Sequence, residues 1–377
     1  MKKLASVLLA LAMVLVLAAC GGDASQPAAS GGDAPAGLRI AIVTSSGIDD
    51  GNFTQNCYEG IMEFIASHPG ATVTEVKEPD ISKTMEATVA IIADYDVLVL
   101  PGFQYAAIGQ HAAENPDTKI ILVDAFPTEA DGFTTMEGLD NVYAMTFKEH
   151  ESGFLAGIAA AMQTETGKVA VVNGIAYPSN VNYQFGFMAG VNYANAHYGT
   201  SAECVELPSY AGTDVTGADV GGNYVGDFAQ PEVGKVIGEA LIAEGVDVML
   251  VAAGASGAGV FTAAKEAEGV YVIGCDVDEY DSGAVGDRNV VLTSALKVMN
   301  INVTRQLNAI ADGTFAGANE VLGANTDSTG IVLADGRHQL DAETVTALEE
   351  VFELIKNGTI VPPDNFSGTT PDDFPGL

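Results

Sequence analysis

The chain has 377 residues, of which 50 are acidic and 15 are lysine or arginine, and its formal net charge is −35. This acidic excess argues against nucleic acid and anionic lipid surfaces as partners, because contacts to phosphate groups need Lys and Arg. The length is sufficient for two domains of ordinary size.

The N-terminal segment has the pattern of a secretory signal. Lys2 and Lys3 precede an apolar run over residues 4–19, which is shorter than the ~20 residues of a membrane-spanning helix. The run ends in Leu-Ala-Ala before Cys20, a string that resembles the lipobox of bacterial lipoproteins. The resemblance implies a cleaved signal peptide over 1–19 and a lipid anchor on Cys20, which would hold the protein at the extracytoplasmic face of the cell membrane. An ordinary secretory peptide that happens to end in cysteine is the alternative.

Residues 20–37 predict a flexible linker. Gly, Ala, Ser, Pro and Asp make up most of the segment, and no large apolar side chain follows Cys20 within it. Such a segment cannot bury enough surface to fold. Folded structure is therefore expected from about Leu38 onward.

Beyond the linker, short apolar runs alternate with helical stretches. The predicted strands are 38–44, 71–76, 97–101, 119–124, 142–147, 168–174, 246–252, 270–276 and 290–294. The predicted helices are 56–67, 151–163, 182–196, 232–243 and 259–268. Nearly continuous apolar strands between helices indicate parallel sheets that are covered on both faces. The pattern predicts an α/β fold, and the number of strands favours two open lobes over one sheet.

Small or polar residues follow several of the predicted strands. They are Ser45, Ser46 and Gly47, then Gly102 and Phe103, Asp124, residues 254–257, and Asp276. Ligands of open parallel sheets bind at the carboxyl ends of the strands. Two such edges that face each other would form a cleft between the lobes.

The sequence contains no recognisable catalytic, metal or cofactor motif. HExxH, zinc-spaced Cys/His pairs, GxSxG and the P-loop string do not occur. The glycine-rich residues 254–259 suit either a backbone cradle for a ligand or tight strand-to-helix packing. Asp49 and Asp50 suit a helix cap. The remaining cysteines (Cys57, Cys204 and Cys275) are odd in number and scattered, so buried thiols are expected rather than disulfides.

Several strings, in chain order, resemble those of the basic membrane protein family of bacterial lipoproteins. They are VTSSGIDDGNFTQ at 43–55, FKEHESGFLAG at 147–157, NYVGDF at 223–228, the glycine loop and Asp-bearing strand within 247–278, VLTSALK at 291–297 and IVPPDN at 360–365. The resemblance implies the type I periplasmic-binding-protein fold, with two Rossmann-like lobes that have parallel sheets and are joined by a three-crossover hinge. The expected first lobe is 38–146 plus about 277–300, and the second is 147–276 plus about 301–377.

The resemblance also implies a function and a set of site residues. The protein would be a monomeric, lipid-anchored substrate-binding protein of an ABC importer that binds a nucleoside, with a purine nucleoside favoured, and delivers it to a permease. Phe53 and Tyr183 match aromatic positions that stack on the base. The remaining matched or neighbouring positions are Asp124, Asp276 and Lys297 at the ribose, Gly254, Ser256 and Gly257 in the loop nearest the sugar, and Ser45, Ser46 and Asp50 in the opening motif.

Some of these assignments have alternatives. Phe53 and Tyr183 also suit core positions, and Asp276 with Lys297 would also suit a structural ion pair. At Ser45 the family commonly has an aspartate that contacts the base edge, so the particular ligand stays open. A receptor that reports a sugar or a signalling molecule to a sensor is the alternative function. A nucleoside hydrolase using Asp49, Asp50 or Asp124 is a remote one.

Overall fold

The computed structural model describes residues 37–132, 134–365 and 368–377. The predicted signal peptide, the predicted lipid anchor at Cys20 and residues 20–36 of the predicted linker lie outside these ranges. None of the helices in the described ranges is long and apolar enough to cross a membrane.

The described residues form strands and helices that alternate for most of the chain. The strands are β1 (Arg39–Thr44), β2 (Thr72–Lys77), β3 (Val97–Pro101), β4 (Lys119–Val123), β5 (Val142–Phe147), β6 (Lys168–Asn173), β7 (Glu203–Cys204), β8 (Gly212–Thr213), β9 (Asp219–Gly221), β10 (Val248–Ala252), β11 (Tyr271–Asp276), β12 (Ala284–Val285), β13 (Arg288–Asn289), β14 (Val291–Lys297), β15 (Ala318–Leu322) and β16 (Thr329–Ile331). The helices are α1 (Phe53–Ser67), α2 (Thr84–Ile91), α3 (Gly109–Glu114), α4 (Glu149–Gln163), α5 (Pro178–His197), α6 (Pro231–Ala243), α7 (Gly257–Glu266), α8 (Met299–Ala311) and α9 (Ala342–Lys356).

Two six-stranded sheets carry the fold. The first has the order β15-β5-β4-β3-β1-β2 and the second β16-β14-β11-β10-β6-β7. Within these two sheets, every pair of neighbouring strands is parallel except β14 with β16. The two orders are equivalent, strand for strand, and belong to the doubly wound type. The predicted α/β fold with two lobes of parallel sheet is confirmed; we call them lobe 1 (first sheet) and lobe 2 (second sheet).

The chain crosses between the sheets three times: from β5 to α4, from β14 to α8 and from β15 to β16. The expected assignment of residues from about 277 onward to the two lobes differs from this topology. β14 pairs with β11 in lobe 2, although about 277–300 was expected in lobe 1. Conversely, β15 pairs with β5 in lobe 1, although about 301–377 was expected in lobe 2. α8 also belongs to lobe 1, because Thr304 Oγ1 donates a hydrogen bond to Gly60 O of α1 at 2.8 Å.

Apolar side chains explain why the helices pack against the faces of the sheets. In α1, Cys57, Ile61 and Phe64 recur at helical spacing and are buried against the first sheet. In lobe 2, α4 and α5 pack with their backbones unusually close. A Cβ on Gly157 would lie 2.1 Å from Phe187 O, so glycine is required there. This contact fixes α5, which carries Tyr183.

Cys57 and Cys275 are buried and Cys204 is partly buried, and all three are free thiols. The expected buried thiol is therefore found at Cys57 and Cys275, whereas Cys204 is only partly buried. Burial raises the pKa of Cys57 and of Cys275 well above the ordinary value. They behave as small core side chains.

Candidate ligand-binding cleft

The carboxyl ends of the strands of both lobes meet around a cavity of about 70 Å³. We call this cavity the cleft. Most of the predicted site residues line it: Ser45, Ser46, Asp50, Phe53, Asp124, Tyr183, Gly254, Asp276 and Lys297. The topology therefore brings together side chains that are far apart in sequence.

Two predicted site residues lie away from the cleft. Ser256 is fully buried, and its hydroxyl donates to Asp227 O at 3.0 Å and accepts from Gln230 N at 2.8 Å. Gly257 begins α7 and lines a separate cavity of about 290 Å³. The glycine-rich string therefore contributes Gly254 to the cleft, while Ser256 holds the neighbouring loop together.

Lys297 joins the two lobes through buried carboxyl groups. It ends β14 of lobe 2, and its Nζ lies 2.6 Å from Asp124 Oδ2 of lobe 1. The same nitrogen lies 3.4 Å from Asp276 Oδ1 and 3.8 Å from Glu149 Oε1. It also lies 4.7 Å from the centre of the Phe53 ring, within the range of a cation–π contact. Glu149 was not among the predicted site residues.

The charges of this group follow from burial and proximity. Burial disfavours the ammonium, but Asp124, Asp276 and Glu149 together hold the pKa of Lys297 well above its ordinary value. Burial raises the pKa of Glu149 to about 8, and Lys297 offsets only part of that rise. Burial raises the pKa of Asp124 as well as that of Glu149. Three carboxyl groups around a single ammonium leave no free cation for an anionic ligand and suit hydroxyl groups.

Asp124 and Asp276 adopt left-handed backbone conformations at equivalent points of the two lobes. Their φ angles are 65° and 68°. Asp124 directly follows β4, and Asp276 ends β11, the strand with the same position in the second sheet. Such φ values are uncommon outside glycine and cost about 1–3 kcal/mol. Strain of this kind is typical of binding sites and aims both carboxylates into the cleft.

Tyr183 is more deeply buried than a simple stacking position would be. Its side chain is 2% exposed, and its phenol donates a hydrogen bond to Asp276 Oδ1 at 3.0 Å. Burial raises the pKa of Tyr183 well above the ordinary value, so the phenol stays a donor. Tyr183 lines the cleft and also orients Asp276.

Three aromatic side chains that were not predicted as site residues also line the cleft. Phe103 of lobe 1 and Tyr177 of lobe 2 have ring centres 5.3 Å apart, and Tyr177 and Phe228 have ring centres 5.9 Å apart. These distances are typical of aromatic pairs. Two signals were present in the sequence: Phe103 follows a predicted strand, and Phe228 ends the string NYVGDF.

Comparison with known proteins assigns the family. The sequence profile of the Bmp family, described as ABC transporter substrate-binding protein PnrA-like, matches residues 38–207 and 216–365. The chain belongs to this PnrA-like family. The predicted relationship to basic membrane proteins is thereby confirmed.

Relatives of the family match almost the whole chain. An ABC transporter nucleoside-binding protein, BmpA of Lactococcus lactis subsp. cremoris, is 29% identical over 373 residues, which cover 94% of this chain and 97% of the relative. A CD4+ T-cell-stimulating antigen of Listeria innocua is 28% identical over 381 residues, with coverage of 94% and 98%. An ABC transporter solute-binding protein of Aeropyrum pernix K1 has the same fold, with a TM-score of 0.71, 23% identity and coverage of 87% and 94%.

In this PnrA-like chain, Asp50 has a structural role as well as a place in the cleft. Its two carboxylate oxygens accept hydrogen bonds from Thr54 N and Gln55 N, both at 3.0 Å. Ser46 Oγ also donates to Asp50, at 3.0 Å. The carboxylate therefore caps α1 and fixes the loop that precedes Phe53.

Proposed function

We propose that this protein is the extracytoplasmic substrate-binding component of an ABC importer and that it binds a nucleoside in the cleft. The observation that carries the proposal is the group formed by Lys297, Asp124 and Asp276 beside the aromatic rings of Phe53, Phe103, Tyr177 and Phe228. Carboxylates and an ammonium suit the hydroxyls of a ribose, and aromatic rings suit a flat base.

Charge favours a nucleoside over a nucleotide. The buried group at Lys297 places three carboxyl groups around one cation. A phosphate group placed there would face these carboxyl groups without a free cation. The name of the Lactococcus lactis relative, a nucleoside-binding protein, agrees with this choice. The serine at position 45 leaves the base open, with a purine favoured by the family resemblance.

Binding requires movement of the lobes. Asp124 and Lys297 are 8% and 2% exposed, and the cleft of about 70 Å³ is smaller than the ~300–1,000 Å³ of ordinary small-molecule sites. A nucleoside can therefore reach these groups only when the lobes separate at the three crossings. Closure on the ligand would then be a hinge motion stabilised by contacts to both lobes.

The position in the cell is part of the same proposal. The predicted lipid anchor at Cys20 would hold the monomeric protein at the extracytoplasmic face of the cell membrane, within reach of its permease. Mass spectrometry of the protein purified from membranes tests this point. A diacylglyceryl adduct on an N-terminal Cys20 is the expected result, and an unmodified N-terminus contradicts it.

Titration calorimetry with inosine, adenosine, guanosine and cytidine tests the ligand. We expect at least one nucleoside to bind with one site per chain. Phe53→Ala should weaken that binding about tenfold or more, since it removes a stacking surface and its burial. Phe352→Ala is the matched control, because Phe352 is partly buried on α9 away from the cleft. Its affinity for the nucleoside should not change.

Two results would contradict the proposal. One is the absence of binding by all four nucleosides. The other is binding that Phe53→Ala and Phe352→Ala leave equally unaffected, since the nucleoside would then bind elsewhere. Release of free base during the titration would instead favour the hydrolase alternative.

A further inference from the structure

Two neighbouring residues near the start of α4 connect all three crossings between the lobes. Glu151 and Ser152 follow the first crossing directly and are 5% and 0% exposed. Buried polar side chains are nearly always hydrogen-bonded in proteins, so the partners of these two residues show which parts of the chain they hold in place. We call the pair the hinge clamp.

Glu151 fastens the third crossing to lobe 2. Its Oε2 accepts hydrogen bonds from Ala324 N and from Thr329 Oγ1, both at 2.7 Å. Ala324 lies in the segment between β15 and β16, and Thr329 begins β16. Lys148 Nζ lies 3.6 Å from the other oxygen, Oε1. A single carboxyl group at the start of α4 thus holds both the middle and the end of the third crossing.

Ser152 joins the second crossing to the third. Its hydroxyl donates a hydrogen bond to Leu296 O at 2.7 Å and accepts one from Gly330 N at 3.0 Å. Leu296 lies at the end of β14, directly before the second crossing, and Gly330 lies in β16. The two crossings are also linked directly, since Val298 N donates to Ser328 O at 2.9 Å. The lobe 2 ends of all three crossings therefore form one hydrogen-bonded unit.

A separate set of hydrogen bonds holds the three crossings on the side of lobe 1. Lys148 N donates to Leu322 O at 2.8 Å, which continues the pairing of β5 with β15. Asn56 Oδ1 of α1 accepts from Met299 N at 3.2 Å and from Asn300 N at 3.0 Å. Because each crossing is fixed on both sides, bending of the lobes is confined to the few residues between the two sets of bonds.

Gly323 separates the two sets of bonds in the third crossing. Leu322 O, directly before it, is bound on the side of lobe 1, and Ala324 N, directly after it, is bound to Glu151. A Cβ at this buried glycine would lie 2.8 Å from Glu151 Oε2, closer than van der Waals contact allows. The lack of a side chain therefore lets Glu151 reach the crossing, and it leaves one residue at which this crossing bends.

We propose that Glu151 of the hinge clamp is a positioning residue for ligand binding: it restricts the opening and closing of the lobes to one path, on which Asp124 returns to Lys297. Without its hydrogen bonds the third crossing bends along its whole length, and the open lobes sample more relative orientations. The fraction of molecules in the orientation that binds then falls, and the apparent affinity falls with it. The effect on affinity rests on the function proposed above, whereas the effect on the lobes does not.

Two variants of Thr329 separate its hydrogen bond to Glu151 from its packing. Thr329→Val keeps the shape of the side chain and removes the hydroxyl, so it should weaken nucleoside binding about three- to tenfold in titration calorimetry. Thr329→Ser keeps the hydroxyl and removes a buried methyl group, since Thr329 is 3% exposed. It should lower stability in urea denaturation and leave the affinity unchanged, because the bond to Glu151 remains.

Thr293→Val is the matched control. Thr293 is 0% exposed in β14, and its hydroxyl donates to Val332 O at 2.6 Å within lobe 2. The substitution removes a buried hydroxyl of the same kind but no bond to Glu151. The two valine variants should lose similar amounts of stability in urea denaturation, while only Thr329→Val should bind the nucleoside more weakly.

Small-angle X-ray scattering of the full chain without ligand tests the movement of the lobes directly. Thr329→Val should have a larger radius of gyration than Thr293→Val, because its lobes sample more open orientations. Equal radii would overturn the proposal even if nucleosides bind. If no nucleoside binds to any of the proteins, the function proposed above is wrong, and the comparison of radii alone decides the role of Glu151.

The affinities give two further results that would overturn the proposal. One is an equal loss of affinity in Thr329→Val and Thr293→Val, which would show that any buried hydroxyl of lobe 2 has this effect. The other is a loss of affinity in Thr329→Ser as large as that in Thr329→Val, which would show that packing and not the hydrogen bond to Glu151 is responsible.

Discussion

Glu149 is a carboxyl group that the fold keeps protonated. It begins α4 at the first crossing, is 2% exposed and lies 3.8 Å from Lys297 Nζ. Asn182 Nδ2 donates to Glu149 Oε2 at 3.1 Å. These contacts give the carboxyl group polar partners, but they do not offset the cost of burying its charged form. The pKa of Glu149 therefore rises to about 8.

This pKa predicts that stability falls as the pH rises. Between about pH 6.5 and 8 the folded protein holds a proton on Glu149 that the unfolded chain has released, so the free energy of unfolding decreases by up to about 1.4 kcal/mol per pH unit. Glu279, whose pKa burial also raises to about 8, contributes in the same direction. His150 contributes in the opposite direction, but only below about pH 6.5, since its pKa is lowered.

Glu149→Gln should therefore reduce this slope, which urea denaturation at several pH values measures. Glu279→Gln is the companion variant and should reduce the slope by a similar amount. The variant with both substitutions should have a smaller slope than either single variant, and part of the slope should remain, because burial also raises the pKa of Asp124. A slope for Glu149→Gln equal to that of the unmodified protein would show that the carboxyl is ionised in the folded state.

Sequence reasoning found the side chains of the cleft where a short motif fixes their position. Asp124, Asp276 and Lys297 each end a buried strand or directly follow one, and the topology then brings them together. It missed Tyr177 and Glu149, which lie before or at the start of a helix. Their place in the site depends on how the crossing segments turn, and no local pattern encodes that.

At the scale of elements, the loop between β1 and α1 combines a cap with part of the cleft. Asp50 caps the start of α1, while Ser45 and Ser46 of the same loop line the cavity. Asp341 has the corresponding role at α9, where its Oδ1 accepts from Thr344 N at 2.8 Å. A comparison of variants at these two positions therefore separates an effect on stability from an effect on ligand binding.

Asp50→Ala and Asp341→Ala should each lower the free energy of unfolding by about 0.5–2 kcal/mol, the ordinary cost of losing a side chain that accepts from the first N–H groups of a helix; Asn52, the N-cap residue of α1, is unchanged in both variants. Only Asp50→Ala should also weaken nucleoside binding, because it frees the loop that positions Ser45, Ser46 and Phe53. Urea denaturation and calorimetry measure the two effects. Equal affinities in both variants would show that the loop keeps its conformation without the cap.

The elements also show what sequence could not assign. The strand β3 (VLVLP) is buried throughout and reads as a strand without ambiguity. β15 (ANEVL) is an edge strand that is only partly buried, and it was not predicted. Whether a segment joins one sheet or the other is decided by pairing with distant strands, so the expected lobe boundaries near 277–300 and 301–377 differed from the topology.

At the scale of the molecule, one buried ion pair joins the lobes at the centre of the cleft. Equivalent strands of the two sheets supply Asp124 and Asp276, and Lys297 lies between them. The desolvation of such a group offsets much of its attraction, but removing only one member leaves the others buried and uncompensated. Lys297 should therefore matter more to stability than an exposed lysine does.

Lys297→Met tests this expectation. We expect the free energy of unfolding to fall by about 3–5 kcal/mol, because two buried carboxylates lose their cation. Lys356→Met is the matched control: Lys356 pairs with Asp327, whose side chain is 81% exposed, and its loss should cost no more than about 1 kcal/mol.

Adding Asp124→Asn to Lys297→Met should restore part of the stability, since it removes one of the two uncompensated charges. If Lys297→Met cost no more than the control in urea denaturation, the pair would contribute nothing to holding the lobes together, and closure would depend on the ligand and the aromatic contacts.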